Sequence, residues 1–132
     1  MLLAYADLID GLRSYYAKRE GDDWAAAFNA AMAAAVLFIL NLSAVVMLVD
    51  LLINHDLKLV SWLTANRIVL VIISVTIAAL HVCFAKLTGV YDRHGGPRNP
   101  SWASHLRAYI TVTVCTCVLS IVAILAMRNS GG

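Results

Sequence analysis

Three long apolar runs dominate the pattern of this chain, at residues 30–49, 68–85 and 109–127, and none of them contains Asp, Glu, Lys or Arg. The first run has 20 residues, and at a rise of about 1.5 Å each they match the roughly 30 Å thickness of a bilayer's hydrocarbon core. Lipid offers no partner to backbone polar groups, so a lone apolar segment of this length is a helix. With their flanks, the runs predict transmembrane helices at 24–53, 67–90 and 101–127.

The segment before the first run, residues 1–22, has a different pattern. Its large apolar and aromatic residues recur at helical spacing, and most of its polar residues fall on other faces. The apolar set is Tyr5, Leu8, Ile9, Leu12, Tyr15 and Tyr16, and the polar set is Asp7, Arg13, Ser14 and Lys18. This pattern predicts an amphipathic helix lying on the membrane surface or against a partner, or one that only covers the ends of the helix bundle. The expected fold is one all-α membrane domain, in which this interfacial helix precedes three transmembrane helices.

The composition supports a membrane location. Hydrophobic residues make up 61% of the 132 residues and charged residues 14%, compared with roughly 45–50% and about 25% in soluble domains. A soluble domain of this size has too much surface to hide so many apolar side chains. The net charge of +2 is too small, and the basic residues too scattered, to indicate nucleic acid binding.

The basic residues predict the orientation of the spans. Seven lie in the N-terminal segment and the second loop, which share one side of the membrane, and three lie on the other side. The seven are Arg13, Lys18, Arg19, Lys86, Arg93, Arg98 and Arg107. This bias predicts a cytoplasmic N-terminus and an external C-terminus in a bacterial inner (plasma) membrane.

Two loops connect the spans. The first, residues 54–66, is short and half apolar, and it is predicted to dip into the interface. In the second loop, residues 95–97 (Gly-Gly-Pro) force a turn, and Asn99 with Pro100 marks the start of the third helix. Arg93, Arg98 and Arg107 make this region basic. It is a candidate surface for anionic lipid headgroups or a partner, although the ordinary positive-inside bias explains the same charges.

Polar side chains within the spans are candidates for helix packing. Asn41 falls near the middle of the first span, where an unpaired amide would cost several kcal/mol, so we expect it to bond another helix or subunit. Asn29 and His81 lie nearer the cytoplasmic ends of their spans. A stripe on the third span, defined by Tyr109, Thr113, Thr116 and Ser120, occupies one face of that helix. The stripe faces protein or a narrow aqueous path, and protein is the commoner case.

Catalysis and metal binding find little support in the sequence. His81 and Cys83, like Cys115 and Cys117, are two residues apart on a helix and point about 200° away from each other. Neither pair can converge on one ion, so we expect no metal and no cofactor. No nucleophile, base and orienting group fall into one constellation. We therefore expect a protein that is not an enzyme.

These observations leave two principal hypotheses. The first is a small assembly subunit that packs through small and polar helix faces, as a homo-oligomer or within a larger membrane complex; its partners are the bilayer and other membrane helices. The alternative is a homo-oligomeric pore or membrane effector whose polar stripe lines a path. A membrane enzyme or metal carrier has the least support.

Overall fold

The computed structural model of the protein describes residues 2–54, 58–94, 96–97 and 99–130. The described residues form helices without any strand. These helices are α1 (Leu2–Glu20), α2 (Asp23–Asn54), α3 (Lys58–Ala65), α4 (Arg67–Leu87) and α5 (Trp102–Ser130).

Three of the helices are long and apolar enough to cross a bilayer. The qualifying segments are Asp23–Ile53, Arg67–Leu87 and Trp102–Ala126, and they correspond to the three predicted spans. Most of their large apolar side chains are exposed on the isolated chain, as expected of helices whose solvent is lipid. These features fit a membrane protein.

A tight turn joins α1 to α2. Gly21 adopts a φ of 72°, a left-handed conformation that glycine adopts at no steric cost, and its N–H donates to the Ala17 carbonyl at 3.0 Å. Asp22 then caps α2, because its Oδ1 accepts from the backbone N–H of Trp24 at 2.9 Å, which is the usual role of an N-cap carboxylate.

Helix α1 folds back along α2 in the antiparallel sense. Arg13 contacts Asp23 at the start of α2, whereas Tyr5, nearer the other end of α1, reaches the carbonyl of Ala34. Between these points lies the main core cluster, made of Leu8, Ile9 and Leu12 from α1 with four alanines of α2 and with Ala85 and Val90; the alanines are Ala27, Ala30, Ala31 and Ala34. The small alanine side chains let α1 approach α2 closely.

Burial on α1 differs from the sequence prediction. Arg13 and Ser14, predicted to lie away from the apolar face, are buried, and Tyr15, predicted on that face, is exposed. That part of the prediction was wrong because Asp10 on the same helix and Asp23 at the start of α2 both pair with Arg13. The structure contains no membrane, so the interfacial location of α1 stays a prediction.

Helix α2 is the central element, because α1, α4 and α5 all pack against it. Helix α1 also packs against α5. At Gly11 of α1, an added Cβ would overlap the indole ring of Trp102 at the start of α5. Glycine weakens a helix interior, but at this position the absence of a side chain makes room for an aromatic ring.

The loop after α2 contains a helix that the sequence did not predict. Helix α3 occupies Lys58–Ala65, and the Oδ2 of Asp50, a buried residue of α2, accepts from the backbone N–H of Val60 at 2.9 Å. A carboxylate that accepts a first-turn N–H satisfies an otherwise unpaired donor. Asp50 thus couples the end of α2 to the start of α3.

Helix α4 ends at Leu87, three residues before the predicted end at residue 90. Gly89 has a φ of 71°, its N–H donates to Lys86, and the N–H of Val90 donates to Ala85 at 2.9 Å. This pair of bonds with a left-handed glycine is a Schellman motif, which terminates a helix. Val90 and Ala85 are both fully buried and provide the apolar contact that accompanies the motif.

Candidate functional site: membrane polar contacts, an ion cluster and a lateral groove

Asn41 bonds across the helix interface between α2 and α5. Its Nδ2 donates to Thr113 Oγ1 at 2.7 Å and to the carbonyl of Leu37, one turn back in its own helix, at 3.0 Å. The Thr113 hydroxyl in turn donates to the Tyr109 carbonyl at 2.9 Å. Both amide protons therefore have acceptors, and one of them ties the centre of α2 to α5.

The rest of the third-span stripe lies against or beside α2. Ser120 donates to the Thr116 carbonyl at 2.8 Å and lies 3.3 Å from the Ala44 carbonyl of α2. Thr116 bonds back to Val112 in its own helix. Thr113 and Ser120 are only 5% and 3% exposed and face protein within one chain, whereas Tyr109 and Thr116 of the stripe are half-buried.

His81 of α4 pairs with Tyr5 of α1. The His81 Nδ1 lies 2.8 Å from the Ile77 carbonyl oxygen, which can only accept, so Nδ1 carries the proton. In a neutral imidazole Nε2 is then an acceptor, and the Tyr5 hydroxyl, 2.7 Å away, donates to it. Burial, with a smaller contribution from nearby Tyr109, raises the pKa of the Tyr5 hydroxyl above its ordinary value of 10.0. The phenol therefore stays protonated and keeps donating.

Aromatic rings surround this hydrogen bond. The ring of Tyr5 lies 5.9 Å from Phe84 and 6.3 Å from Tyr109, and Phe38 lies 5.4 Å from His81, between ring centroids. These separations fall within the range of favourable aromatic contacts. The cluster joins all four long helices, with Tyr5 at its centre.

An open groove of about 780 Å³ borders this cluster. One wall comes from α4 and the other from the start of α5, and side chains of α1 and α2 form its base. The lining residues are Tyr5, Leu8, Phe38, Leu80, His81, Cys83, Phe84, Leu87, His105 and Tyr109. Because its α4 and α5 residues belong to candidate membrane spans, we call this groove the lateral groove.

A cluster of ionisable residues, Asp10, Arg13, Asp23, Arg93 and His94, extends from the middle of α1 to the start of α2 and the second loop. Asp10 and Arg13 are fully buried and pair at 3.2 Å. Arg93, from the loop after α4, reaches the second oxygen of Asp10 at 3.2 Å. Arg13 lies 3.4 Å and His94 2.7 Å from the carboxylate of Asp23. This ion cluster connects α1, the start of α2 and the second loop.

Sequence reasoning missed the ion cluster. The signal within α1 was weak, because Asp10 and Arg13 are an ordinary i,i+3 pair of the kind that often lies on a solvated helix surface. Arg93 is 83 positions away from Asp10, so only the tertiary fold brings them together. Buried charges need such partners, since an unpaired charge is very costly away from water.

The fold separates the three arginines of the basic surface that is a candidate for binding anionic headgroups. Arg93 is partly buried, bonded to Asp10 and 3.5 Å from the Thr88 carbonyl. Arg107 is exposed, with its Nε bonded to the Ala103 carbonyl of its own helix. Arg98 lies outside the described residues.

Asn29, a packing candidate, is half-buried on α2.

No cluster of three or more His, Cys, Asp or Glu side chains suited to a metal ion occurs in the part of the chain that the structure describes. Cys83 and Cys115 are exposed free thiols, and Cys117 is half-buried. The described residues thus provide packing contacts, an ion cluster and a groove.

Comparison with known proteins adds no relative, since no protein family, curated protein or solved structure matches this chain.

Proposed function

We propose that the protein is a small integral membrane protein of the bacterial inner membrane, with α1 at the cytoplasmic surface, that acts as an assembly subunit. It associates with other membrane helices, either of a second copy or of a larger complex. In this arrangement the polar and charged face of α1 meets the second loop. Both segments are cytoplasmic and the C-terminus is external, because the N-terminal segment and the second loop contain the excess of basic residues.

The supporting observation is a row of small side chains on the outer surface of α5. Ala108, Thr111 and Cys115 follow each other at i, i+3 and i+7, and all three are exposed. Thr76 and Ala79 of α4 are also small and exposed. Without a hydrophobic driving force between helices in lipid, association depends on close packing, which small residues permit.

Two faces with small or polar side chains are already used within the chain. The alanines of α2 pack in the core with α1, and Thr113 and Ser120 of the stripe are buried. The exposed α5 row is therefore the surface that we propose for assembly. A path lined by the stripe is disfavoured, because water would have to replace the bond between Asn41 and Thr113.

Cross-linking through Cys115 tests this proposal. A variant that keeps only this thiol (Cys83→Ala, Cys117→Ala) should form a covalent dimer, or a conjugate with a neighbouring membrane protein, under mild oxidation in native membranes. The matched control keeps only Cys117, which points about 200° away on the helix and should give much less product.

A second variant pair separates packing from chance collisions. Ala108→Leu should reduce the Cys115 product, because overpacking a close contact costs about 1–3 kcal/mol. Val112→Leu, at a position that is already large and exposed, should leave it unchanged. Equal cross-linking of Cys115 and Cys117, or a monomer by native mass spectrometry without any conjugate, would refute the assembly role.

A further inference from the structure

The lateral groove has walls that differ from those of a helix-packing surface. No Gly, Ala or Ser is found among its ten lining residues, which include Leu80, Phe84 and Leu87 of α4 and Phe38 of α2. Close helix association in membranes depends on such small residues, and those of the exposed α5 row lie outside the groove lining. A groove between large apolar side chains suits a flexible hydrocarbon chain better than a rigid helix.

The groove also has an unsatisfied polar group. His105, in the second turn of α5, lines it, and the Nδ1 of this ring is buried without a hydrogen-bond partner among the described residues. The other lining histidine, His81, has both ring nitrogens bonded. Buried polar atoms are rarely left unpaired, because each costs free energy. A half-turn of the imidazole moves this nitrogen to the other edge of the ring, and a ligand polar group lying at that edge would give it a hydrogen-bond partner.

The two features occur at different depths. His105 lies near the end of the α5 span that the second loop enters, whereas Leu80 and Phe38 lie farther along their helices, toward the middle of the bundle. A molecule that matches this arrangement has a polar group near the membrane surface and an apolar chain that points inward. Phospholipids in the adjoining leaflet have this geometry.

We propose that the groove between α4 and α5 binds one phospholipid of the adjoining leaflet, with an acyl chain along Leu80, Phe84 and Phe38 and with a headgroup or ester oxygen accepting a hydrogen bond from the His105 imidazole. The lipid completes the bundle on the side where α1 supplies Tyr5 and Leu8 to the base of the groove. This binding site is separate from the exposed α5 row that the assembly role uses.

Native mass spectrometry of the full-length protein tests the site. The delipidated protein in detergent is titrated with dioleoyl phosphatidylethanolamine, and we expect one saturable adduct. Leu80→Trp should fill the groove and reduce binding at least tenfold. Leu119→Trp is the matched control, because Leu80 and Leu119 are 62% and 60% exposed and Leu119 lies outside the groove; it should bind like the wild type.

His105→Phe tests the polar contact. This variant keeps an aromatic ring and removes the hydrogen bond, so binding should weaken about fivefold, whereas Tyr15→Phe, which removes a polar group from an exposed residue outside the groove, should have no effect. Leu87→Trp, at the rim, serves as a second groove-filling variant if Leu80→Trp does not fold.

Two results would overturn the proposal. Equal adducts on all variants would indicate only non-specific annular lipid. Unchanged lipid binding together with loss of higher-order species in Leu80→Trp would indicate that the groove receives a helix. Because the Cys115 experiment probes a different face, the lipid site and the assembly role can fail independently.

Discussion

At the scale of single residues, Asn41 shows how one amide can select a packing partner in a membrane. Its bond to Thr113 is 2.7 Å long and lies within the parts of α2 and α5 that are apolar enough to cross a bilayer. Bonds of this kind contribute roughly 0.6–2 kcal/mol in membrane proteins, and their direction fixes which faces meet. The amide therefore sets the rotation of α5 relative to α2.

Asn41→Leu should destabilise the protein by about 0.5–2 kcal/mol, because Thr113 loses its donor and α5 is held less specifically. Unfolding in mixed detergent measures this loss. Thr113→Val should have a similar effect, and the double variant should lose less than the sum of the two, since both single changes break one bond. Strict additivity, or unchanged stability of Asn41→Leu, would mean that the interhelical bond does not form.

Tyr5 leads to a prediction about pH. Its raised pKa means that, above pH about 10, the unfolded chain ionises Tyr5 while the folded chain keeps it neutral. The unfolded state then binds fewer protons, so the stability should fall as the pH rises from about 10 toward the folded pKa. Tyr5→Phe should remove this contribution to the slope and, by leaving Nε2 of His81 unpaired, should cost about 1–3 kcal/mol at neutral pH.

Thermal unfolding between pH 7 and 11 checks both parts of the Tyr5 prediction. Tyr15→Phe is the control, because Tyr15 is exposed and its removal should change little at neutral pH. An alkaline slope that is the same in the wild type and Tyr5→Phe would show that Tyr5 is not buried against α4.

At the scale of elements, the ion cluster holds α1 in place. Asp10 accepts from both Arg13 and Arg93, so its carboxylate compensates two cations at a buried position. Removing one partner of a buried ion pair is strongly destabilising, by about 3–5 kcal/mol, because it leaves a buried charge uncompensated. The helix that the sequence assigned to the membrane surface is thus fastened to the bundle by charges as well as by apolar contacts.

Asp10→Asn should release α1 from the bundle and lower the thermal stability by an amount equivalent to about 3 kcal/mol. Asp7→Asn removes the same charge at a half-buried position bonded to Asn99 at 3.2 Å, and its effect should stay below about 1 kcal/mol. Protease cleavage within residues 2–22 should accelerate only in Asp10→Asn. Equal cleavage of the two variants would show that Asp10 does not hold the helix.

The elements also show what sequence could and could not predict. The spans followed from apolar composition, which is a local property that needs no knowledge of neighbours. Helix α3 was missed because it has only eight residues and a carboxylate of α2 satisfies its first turn. The ion cluster and the groove were missed for a related reason: both depend on how helices distant in sequence cross.

For the candidate site, the sequence singled out residues but not their partners. The position of Asn41 at the middle of a span predicted a hydrogen bond to another helix. The spacing of the hydroxyl residues predicted that they share one face of α5. The pairing of His81 with Tyr5 was not predicted, since Tyr5 lies 76 positions away in a segment assigned to the membrane surface. Nothing in the local sequence indicates that the Nδ1 of His105 is buried.

At the scale of the whole molecule, three helices long and apolar enough to span a bilayer pack together, with α1 added at one end. Helix α1 thickens the bundle where it packs against α2 and α5, and it forms part of the base of the lateral groove. Farther along the spans, most large apolar side chains of α4 and α5 are exposed. The proposed assembly surface and lipid site both require that these exposed faces lie within a bilayer.

Membrane topology is therefore the most direct test of the central claim, that α2, α4 and α5 each cross the membrane and that α1 shares the cytoplasmic side with the second loop. Reporters of periplasmic and cytoplasmic location, fused after Ala65, after Gly96 and at the C-terminus, should indicate outside, inside and outside. A cytoplasmic signal at the C-terminal fusion, or the same signal at Ala65 and Gly96, would contradict the account.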